Sequence, residues 1–278
     1  TKRGKKGEGR IEYSANFGIS KITNPVEVLG AYDYANFVNE GILMSEMFDN
    51  RAPGPLTYRG AWSYREVNGS IVTDSGRYYA SPEDYLNPGW RTDQYGNKQW
   101  IEGTDWMDQI FQNGSSMEHN LSISGGGEKV TYAISGNYTD QKGIILNSGY
   151  NRAAVRSNLN AKVTNWLEAG LNVNYSRSVN SFAKTNAHDY SIVRSAMLFP
   201  PTIYAGDNAT SDEVAWLSAN PGTYVRDAKD DMISNATFVS AFAQATIIDG
   251  LTLRQNFGYS NTNRDRSTFY GSKTGEGK

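Results

Sequence analysis

Residues 117–175 read MEHNLSISGGGEKVTYAISGNYTDQKGIILNSGYNRAAVRSNLNAKVTNWLEAGLNVNY, and their pattern decides the fold. Alternate residues fall into unlike sets. Val130, Tyr132, Ile134, Gly136 and Tyr138 form one; Thr131, Ala133, Ser135, Asn137 and Thr139 form the other. The split recurs in Leu167, Ala169, Leu171, Val173 and Tyr175 against Glu168, Gly170, Asn172, Asn174 and Ser176. A period of two belongs to an extended strand with one apolar and one polar face. Tight turns at Gly125–Lys129 and Thr164–Trp166 alternate with longer connections, which predicts an up-and-down antiparallel meander.

Outward from this stretch, the same alternation predicts strands over 10–20, 117–124, 129–139, 151–163, 167–177 and about 237–248, with a seventh starting at Leu251. Asp249-Gly250 is a hairpin dipeptide. The fold class expected is all-β. Residues 1–10, with Lys2, Arg3, Lys5, Lys6 and Arg10 among glycines, read as a solvated basic linker. Residues 21–116 are the least regular part. A short helix is expected over Ala31–Asn39, and another over Thr104–Phe111 with Thr104 or Asp105 as N-cap. Residues 178–236 form a second long excursion, with a helix expected at Ser191–Leu198 and stopped by Pro200-Pro201.

The bulk properties exclude several classes. The 278 residues carry a net charge of -2, so nothing favours nucleic acid. Cysteine is absent, which removes disulfides, thiol nucleophiles and thiolate metal sites. The two histidines, His119 and His188, are too few for most histidine metal sites. No apolar run approaches the ~18 residues of a transmembrane helix. A transmembrane β-barrel, with half-apolar strands, stays open. The chain opens Thr-Lys-Arg-Gly with no initiator Met and no apolar leader, and reads as the middle of a longer polypeptide.

Three details favour lipid over a second sheet as the partner of the apolar face. The apolar set is expected to carry no Lys, Arg, Asp or Glu, while Glu12, Arg156, Lys162, Glu168 and Arg254 fall on the polar set. Tyr138, Tyr175 and Tyr259 each lie on the apolar face eight residues after a strand's start at Val130, Leu167 and Leu251. That is about 20 Å along the membrane normal for a tilted strand, the spacing of an aromatic girdle. Short turns lie at one end and long loops at the other, the asymmetry of an outer-membrane barrel. Seven strands leave open edges that lipid forbids, so the chain is expected to be part of a larger barrel.

No catalytic constellation is visible, and Gly125-Gly126-Gly127-Glu128-Lys129 reads as a turn, not a phosphate loop. His119, on the apolar face, reads as a satisfied packing residue. Asp207, Asn208, Asp212 and Glu213 lack the spacing of a calcium loop. Arg152, Arg156 and Lys162 read as structural charges on the polar face. The best binding candidates are the aromatics Trp62, Tyr64, Trp90, Tyr95 and Trp100, because rigid rings stack on sugars or peptides at low entropy cost. The competing reading packs these rings within their own loop.

Several motifs resemble the SusC/RagA family of TonB-dependent outer-membrane transporters of Bacteroidetes-type bacteria. Thr1-Lys2-Arg3-Gly4 resembles the exit from its plug domain. Thr104–Phe111 resembles its TDWxDxIF segment, and His119–Gly126 its HNLSxSGG strand. Gln141–Ile144 and Asn165–Leu167 resemble two of its turn signatures. The resemblance implies the end of a plug at residues 1–9, and over 10–278 a partial barrel of about 22 strands with long loops near 21–116 and 178–236. It implies import of a nutrient, oligosaccharide or peptide, across the outer membrane; from the residues themselves no enzyme activity, cofactor or metal is expected. The implied partners are a SusD-like surface lipoprotein, the TonB-ExbB-ExbD complex and membrane lipid. A passive porin-like barrel and a soluble β-sandwich carbohydrate-binding module remain the alternatives.

Overall fold

The computed structural model describes residues 7–49, 64–67, 70–73, 81–92, 98–185, 191–203, 205, 221–274 and 277. Two compact units emerge. The first comprises Thr1–Ile22, Gln112–Ala183 and Lys229–Thr268. The second comprises Thr23–Phe111, Lys184–Ala228 and Phe269–Lys278.

The first unit is one antiparallel sheet of seven strands: β1 (Gly7–Ser20), β6 (Gly114–Gly126), β7 (Val130–Lys142), β8 (Gly149–Lys162), β9 (Leu167–Ser181), β10 (Ala228–Ile248) and β11 (Leu251–Tyr270). Four shorter strands, β2 (Tyr64–Val67), β3 (Ser70–Thr73), β4 (Gly89–Thr92) and β5 (Lys98–Ile101), belong to the second unit. Each strand pairs with the next in this order, so the predicted meander is present. Strands β6 to β10 run further than expected at their loop ends, most of all β10, because backbone pairing continues after the apolar alternation has stopped.

Register sets the tilt. Val130 pairs with Ala161, Ala161 with Ala169, and Ala169 with Ala243, so these four share one row. β7 starts in that row. β9 starts two residues further out, at Leu167 opposite Ala245, and β10 continues past Ala245 to Ile248. The turns therefore step outward in one direction by about one residue per strand. A step of ~3.3 Å against a strand spacing of ~4.8 Å gives a tilt of about 35°, the value of a β-barrel wall. The tyrosines keep the same step: Tyr138 lies in the row of Ala153 and Arg177, two residues beyond Tyr175. A level drawn parallel to the turns passes through both rings.

The apolar face is uncovered. Ile11, Phe17, Leu121, Val155, Leu171 and Phe257 are all exposed, from 41% for Leu171 to 75% for Phe17. A water-soluble sandwich would bury this face against a second sheet. One expectation about this face is corrected. Arg177 lies on the apolar side, in register with Ala153, and Asp140, Lys142 and Asp231 share that side. All four lie past the tyrosine level, toward the loop ends of the strands.

His119 is satisfied as predicted. Its Nδ1 is 2.8 Å from the Tyr13 hydroxyl, its ring stacks on Tyr13, and the Phe17 ring meets it edge-on.

The second unit holds the long excursions. It contains α1 (Ala31–Asp49), the hairpins β2 (Tyr64–Val67) with β3 (Ser70–Thr73) and β4 (Gly89–Thr92) with β5 (Lys98–Ile101), and a 3-10 turn (Pro82–Leu86). Three short helices follow: α2 (Trp106–Ile110), α3 (Ile192–Leu198) and α4 (Pro221–Asp227). α1 runs ten residues past the expected end at Asn39, since no proline interrupts it. Asp105, not Thr104, caps α2, its carboxylate accepting from the backbone N–H of Met107 and Asp108. The Thr104 hydroxyl instead accepts from the Ala205 N–H. α3 begins after Ser191 as expected.

Trp106, Ile110, Ile192, Ala196 and Phe199 are almost wholly buried and form a small core. The Trp106 indole N–H donates to the Pro200 carbonyl at 2.9 Å, and its ring meets Phe199 edge-on at 4.8 Å. The TDWxDxIF-like segment is thus a packing motif.

Candidate functional site

The polar face of the sheet is the first surface able to bind a hydrated ligand. Its residues come from the polar parity of each strand, so register places them in rows. Glu118 accepts from the side-chain amides of Asn120 and Asn137, both at 3.1 Å. Asn137 also donates to Asn120 Oδ1 at 2.7 Å, and the Thr139 hydroxyl donates to Asn137 Oδ1 at 3.3 Å. A second amide chain runs from Asn160 to Asn158 at 2.7 Å and on from Asn158 to Asn172. Arg156 lies between Ser135 and Asn174, and Arg152 between Thr139 and Ser178. Both arginines line a hollow with Glu12 and Glu118. Near the turns, Lys162 and Glu168 form an exposed ion pair at 3.7 Å. Amides and paired charges of this kind hydrogen-bond a polar surface without favouring one sign of charge.

Sequence reasoning missed two aromatics here. Phe238 is opposite Asn174 and Phe242 is opposite Gly170, both on the polar side. A Cβ on Gly170 would clash with the Phe242 ring, so the glycine makes room for it. The Arg254 guanidinium covers the same ring at 4.0 Å and donates to the Gln244 side chain. The available signal was an even-numbered Phe pair on a strand whose other even residues are mostly polar.

Of the five predicted aromatics, the structure brings two together. Trp90 and Trp100 are direct partners across the β4–β5 hairpin, edge-on at 5.6 Å, with Trp90 64% exposed. The Trp100 indole N–H donates to Glu102 at 2.8 Å. Tyr64 contributes backbone to β2, opposite Thr73. Trp62 and Tyr95 lie outside the described residues, as do the calcium-loop candidates Asp207, Asn208, Asp212 and Glu213.

Arg91 fixes the base of this hairpin. Its Nε donates to Asp84 Oδ1 at 2.8 Å and its Nη2 to the Asn87 carbonyl at 2.8 Å. Burial alone would raise the Asp84 pKa. The Arg91 guanidinium and the Ser81 N–H outweigh it and hold the carboxyl below its usual range. Among the described residues no cluster of His, Asp and Glu could hold a metal ion.

Comparison with known proteins agrees with the geometry. No family model matches the chain. It is 25% identical to TonB-dependent receptor P3 of Formosa agariphila over 281 residues, 97% of this chain and 22% of that protein. It is 28% identical to TonB-dependent receptor SusC of Bacteroides thetaiotaomicron over 163 residues, 58% of this chain and 15% of that protein. The chain thus spans about a fifth or less of these relatives. Among solved structures, the RagAB peptide importer in its closed-closed state aligns with 99% of this chain and 31% of its own, at a TM-score of 0.62 and 19% identity. The RagAB peptide transporter aligns with 98% of this chain at 0.64. The chain is similar to TonB-dependent receptors, SusC among them, and its sheet has the fold of part of the RagAB structures.

Proposed function

We propose that the polypeptide carrying this chain imports a nutrient across the outer membrane in a TonB-dependent way, as the SusC-like member of a pair with a SusD-like surface lipoprotein. The observation that carries the reading is the staggered sheet with an exposed apolar face and a hydrogen-bonded polar one. Lipid is the solvent that such an apolar face requires, and a filled lumen is the setting for such a polar face. The cargo is an oligosaccharide or a peptide. Trp90 and Trp100 are proposed to meet it, with Trp62, Tyr64 and Tyr95 in the same aromatic stretch. Residues 1–9 are proposed to leave a plug domain and 10–278 to begin the barrel.

The test is uptake of labelled oligosaccharide and peptide pools by the native host, with and without functional TonB. The full-length polypeptide should fractionate with the outer membrane at roughly three times the 30.7 kDa of this chain, on the family's ~22 strands. Uptake should stop without TonB. Uptake that continues without TonB would establish a passive barrel instead. In an importing strain, Trp90→Ala with Trp100→Ala should raise the half-saturating cargo concentration about tenfold, as loss of ring stacking does.

A further inference from the structure

We propose that the polar face of the sheet binds an acidic sugar, a ring carrying a carboxylate or sulfate, in a bay around Asn174 between Arg156 and Phe238. This rests on the import reading above and narrows its cargo to an anionic oligosaccharide.

Register builds the bay. Arg156 of β8 is opposite Asn174 of β9, and Asn174 is opposite Phe238 of β10, so the three share one row on the polar side. Two strand spacings, about 10 Å, separate Arg156 from Phe238. The neighbouring residues on the same face of these strands are short: Ala154, Ser176 and Ala236 toward the loops, Asn158, Asn172 and Ser240 toward the turns. Arg156 and Phe238 therefore flank a floor of smaller side chains. On the stagger of the strands Phe238 falls at the tyrosine level, with Arg156 about 5 Å short of it. The bay thus lies toward the loop-side end of the wall.

Its side chains are uncommitted. Arg156 is exposed, and Phe238 is 44% exposed. Among the described residues, neither Arg156 nor Asn174 has a side-chain hydrogen bond or an ion pair. The contrast is immediate, because Asn158, Asn160 and Asn172 bond to one another on the turn side of the row.

Charge on this face is unbalanced. Glu12 pairs with Arg10, Glu168 with Lys162 and Asp230 with Arg266, while Glu118 accepts from two amides. Glu12 is in the row of Arg156 but three strands away. That is about 14 Å, beyond the ~8 Å screening length of physiological salt. Arg152, Arg156 and Arg264 have no carboxylate in ion-pair range among the described residues. Paired charges favour neither sign; these arginines favour an anion.

The rest of the chemistry selects a sugar. Phe238 offers a ring face to the apolar side of a sugar, and the Asn174 amide donates to and accepts from hydroxyls. Arg156 supplies a planar fork for the acidic group. An acidic peptide would use the fork, but its side chains lack the ring of hydroxyls that suits a face so rich in amides. The β4–β5 hairpin repeats the combination independently. Lys98 is exposed, lies on the same face as Trp100, and has no carboxylate in ion-pair range among the described residues. In the simplest competing account Arg156 pairs with a carboxylate of the plug domain that the import reading places upstream. That account leaves Asn174 unused and needs no exposed ring in the same row.

The test is binding of the full-length protein, purified in detergent with its accompanying partners, to a panel of oligosaccharides. The panel holds uronic-acid and sulfated oligosaccharides, the same molecules after carboxyl reduction or desulfation, and glutamate-rich peptides. Wild type should bind acidic sugars at least about tenfold more tightly than their neutral counterparts, and added salt should narrow the gap. Arg156→Gln should remove most of that preference. Phe238→Ala should weaken acidic and neutral forms alike, by about tenfold, and leave their ratio unchanged. Equal binding of acidic and neutral forms, binding of none, tighter binding of the acidic peptides, or a preference unchanged in Arg156→Gln would overturn the site. Heat-dependent gel mobility checks that each variant is a folded barrel. If the glutamine variant does not fold, Arg156→Lys should still prefer acidic sugars, and a folded Phe238→Ala protein that binds as wild type does would overturn the bay. Uptake of every cargo without TonB would defeat the import reading itself. TonB-dependent uptake confined to neutral sugars or peptides would defeat only the acidic-sugar site.

Discussion

Trp106 shows how one side chain organises the second unit. It is 2% exposed, and its only polar atom reaches the Pro200 carbonyl. Trp106→Ala should cost about 3–5 kcal/mol, the usual penalty for emptying a large aromatic site. Trp106→Phe keeps a ring but leaves the carbonyl without its donor, at about 1–3 kcal/mol. Hydrogen exchange should quicken at α2 and α3 in both variants, more in the alanine. Asp84 makes a pH prediction. Its folded pKa lies below the ordinary value of about 3.9, so its stabilising pair with Arg91 is complete above that value. It is lost as pH falls through the lower folded pKa. The partly exposed pair contributes at most about 1 kcal/mol. Proteolysis of the 81–101 segment should therefore accelerate below about pH 4 in wild type, while Arg91→Ala should be faster at neutral pH and respond less to acid.

At the scale of elements, parity carries most of the argument. Leu171 and Asn172 are consecutive in β9 and face opposite ways. Leu171→Arg places a charge on the lipid side, four residues from the tyrosine level, and should cost about 2–4 kcal/mol in folding into bilayers. Asn172→Arg faces the polar side and should cost less than about 1 kcal/mol, chiefly for the hydrogen bond to Asn158. Equal losses would contradict the assignment of faces.

Parity was also what the sequence made legible. The alternation in β1 and β6 to β9, with Asp249-Gly250 after β10, was enough to recover seven strands in order. The β2–β3 hairpin escaped although Asn68-Gly69 separates two short runs, because the surrounding aromatics obscured the alternation. α4 escaped because seven residues are too few to show helical periodicity, and Pro221 at its first position was the available cue. Arg177 was misread because strand pairing persists past Tyr175 after the apolar alternation has ended, and no residue pattern marks that point except the tyrosine before it. At the candidate site, Trp90 and Trp100 were legible as aromatics, but their pairing required the register of a hairpin that the sequence reading left as loop.

At the scale of the molecule, the seven strands make an open wall whose unpaired edges, β1 and β11, require neighbours in a membrane. The relatives, of which this chain spans about a fifth or less, are proteins long enough to supply them. The central claim is that the exposed apolar face is in lipid. The most direct test is footprinting the full-length protein in native outer membranes with a carbene precursor dissolved in the bilayer. Label should fall on Leu121, Ile134, Val155, Leu159 and Leu171 and skip Asn120, Ser135, Arg156, Asn158 and Asn172, repeating every second residue up to Tyr138 and Tyr175. Label on both parities alike, or on neither, would show that this face is covered by protein or water and would contradict the account.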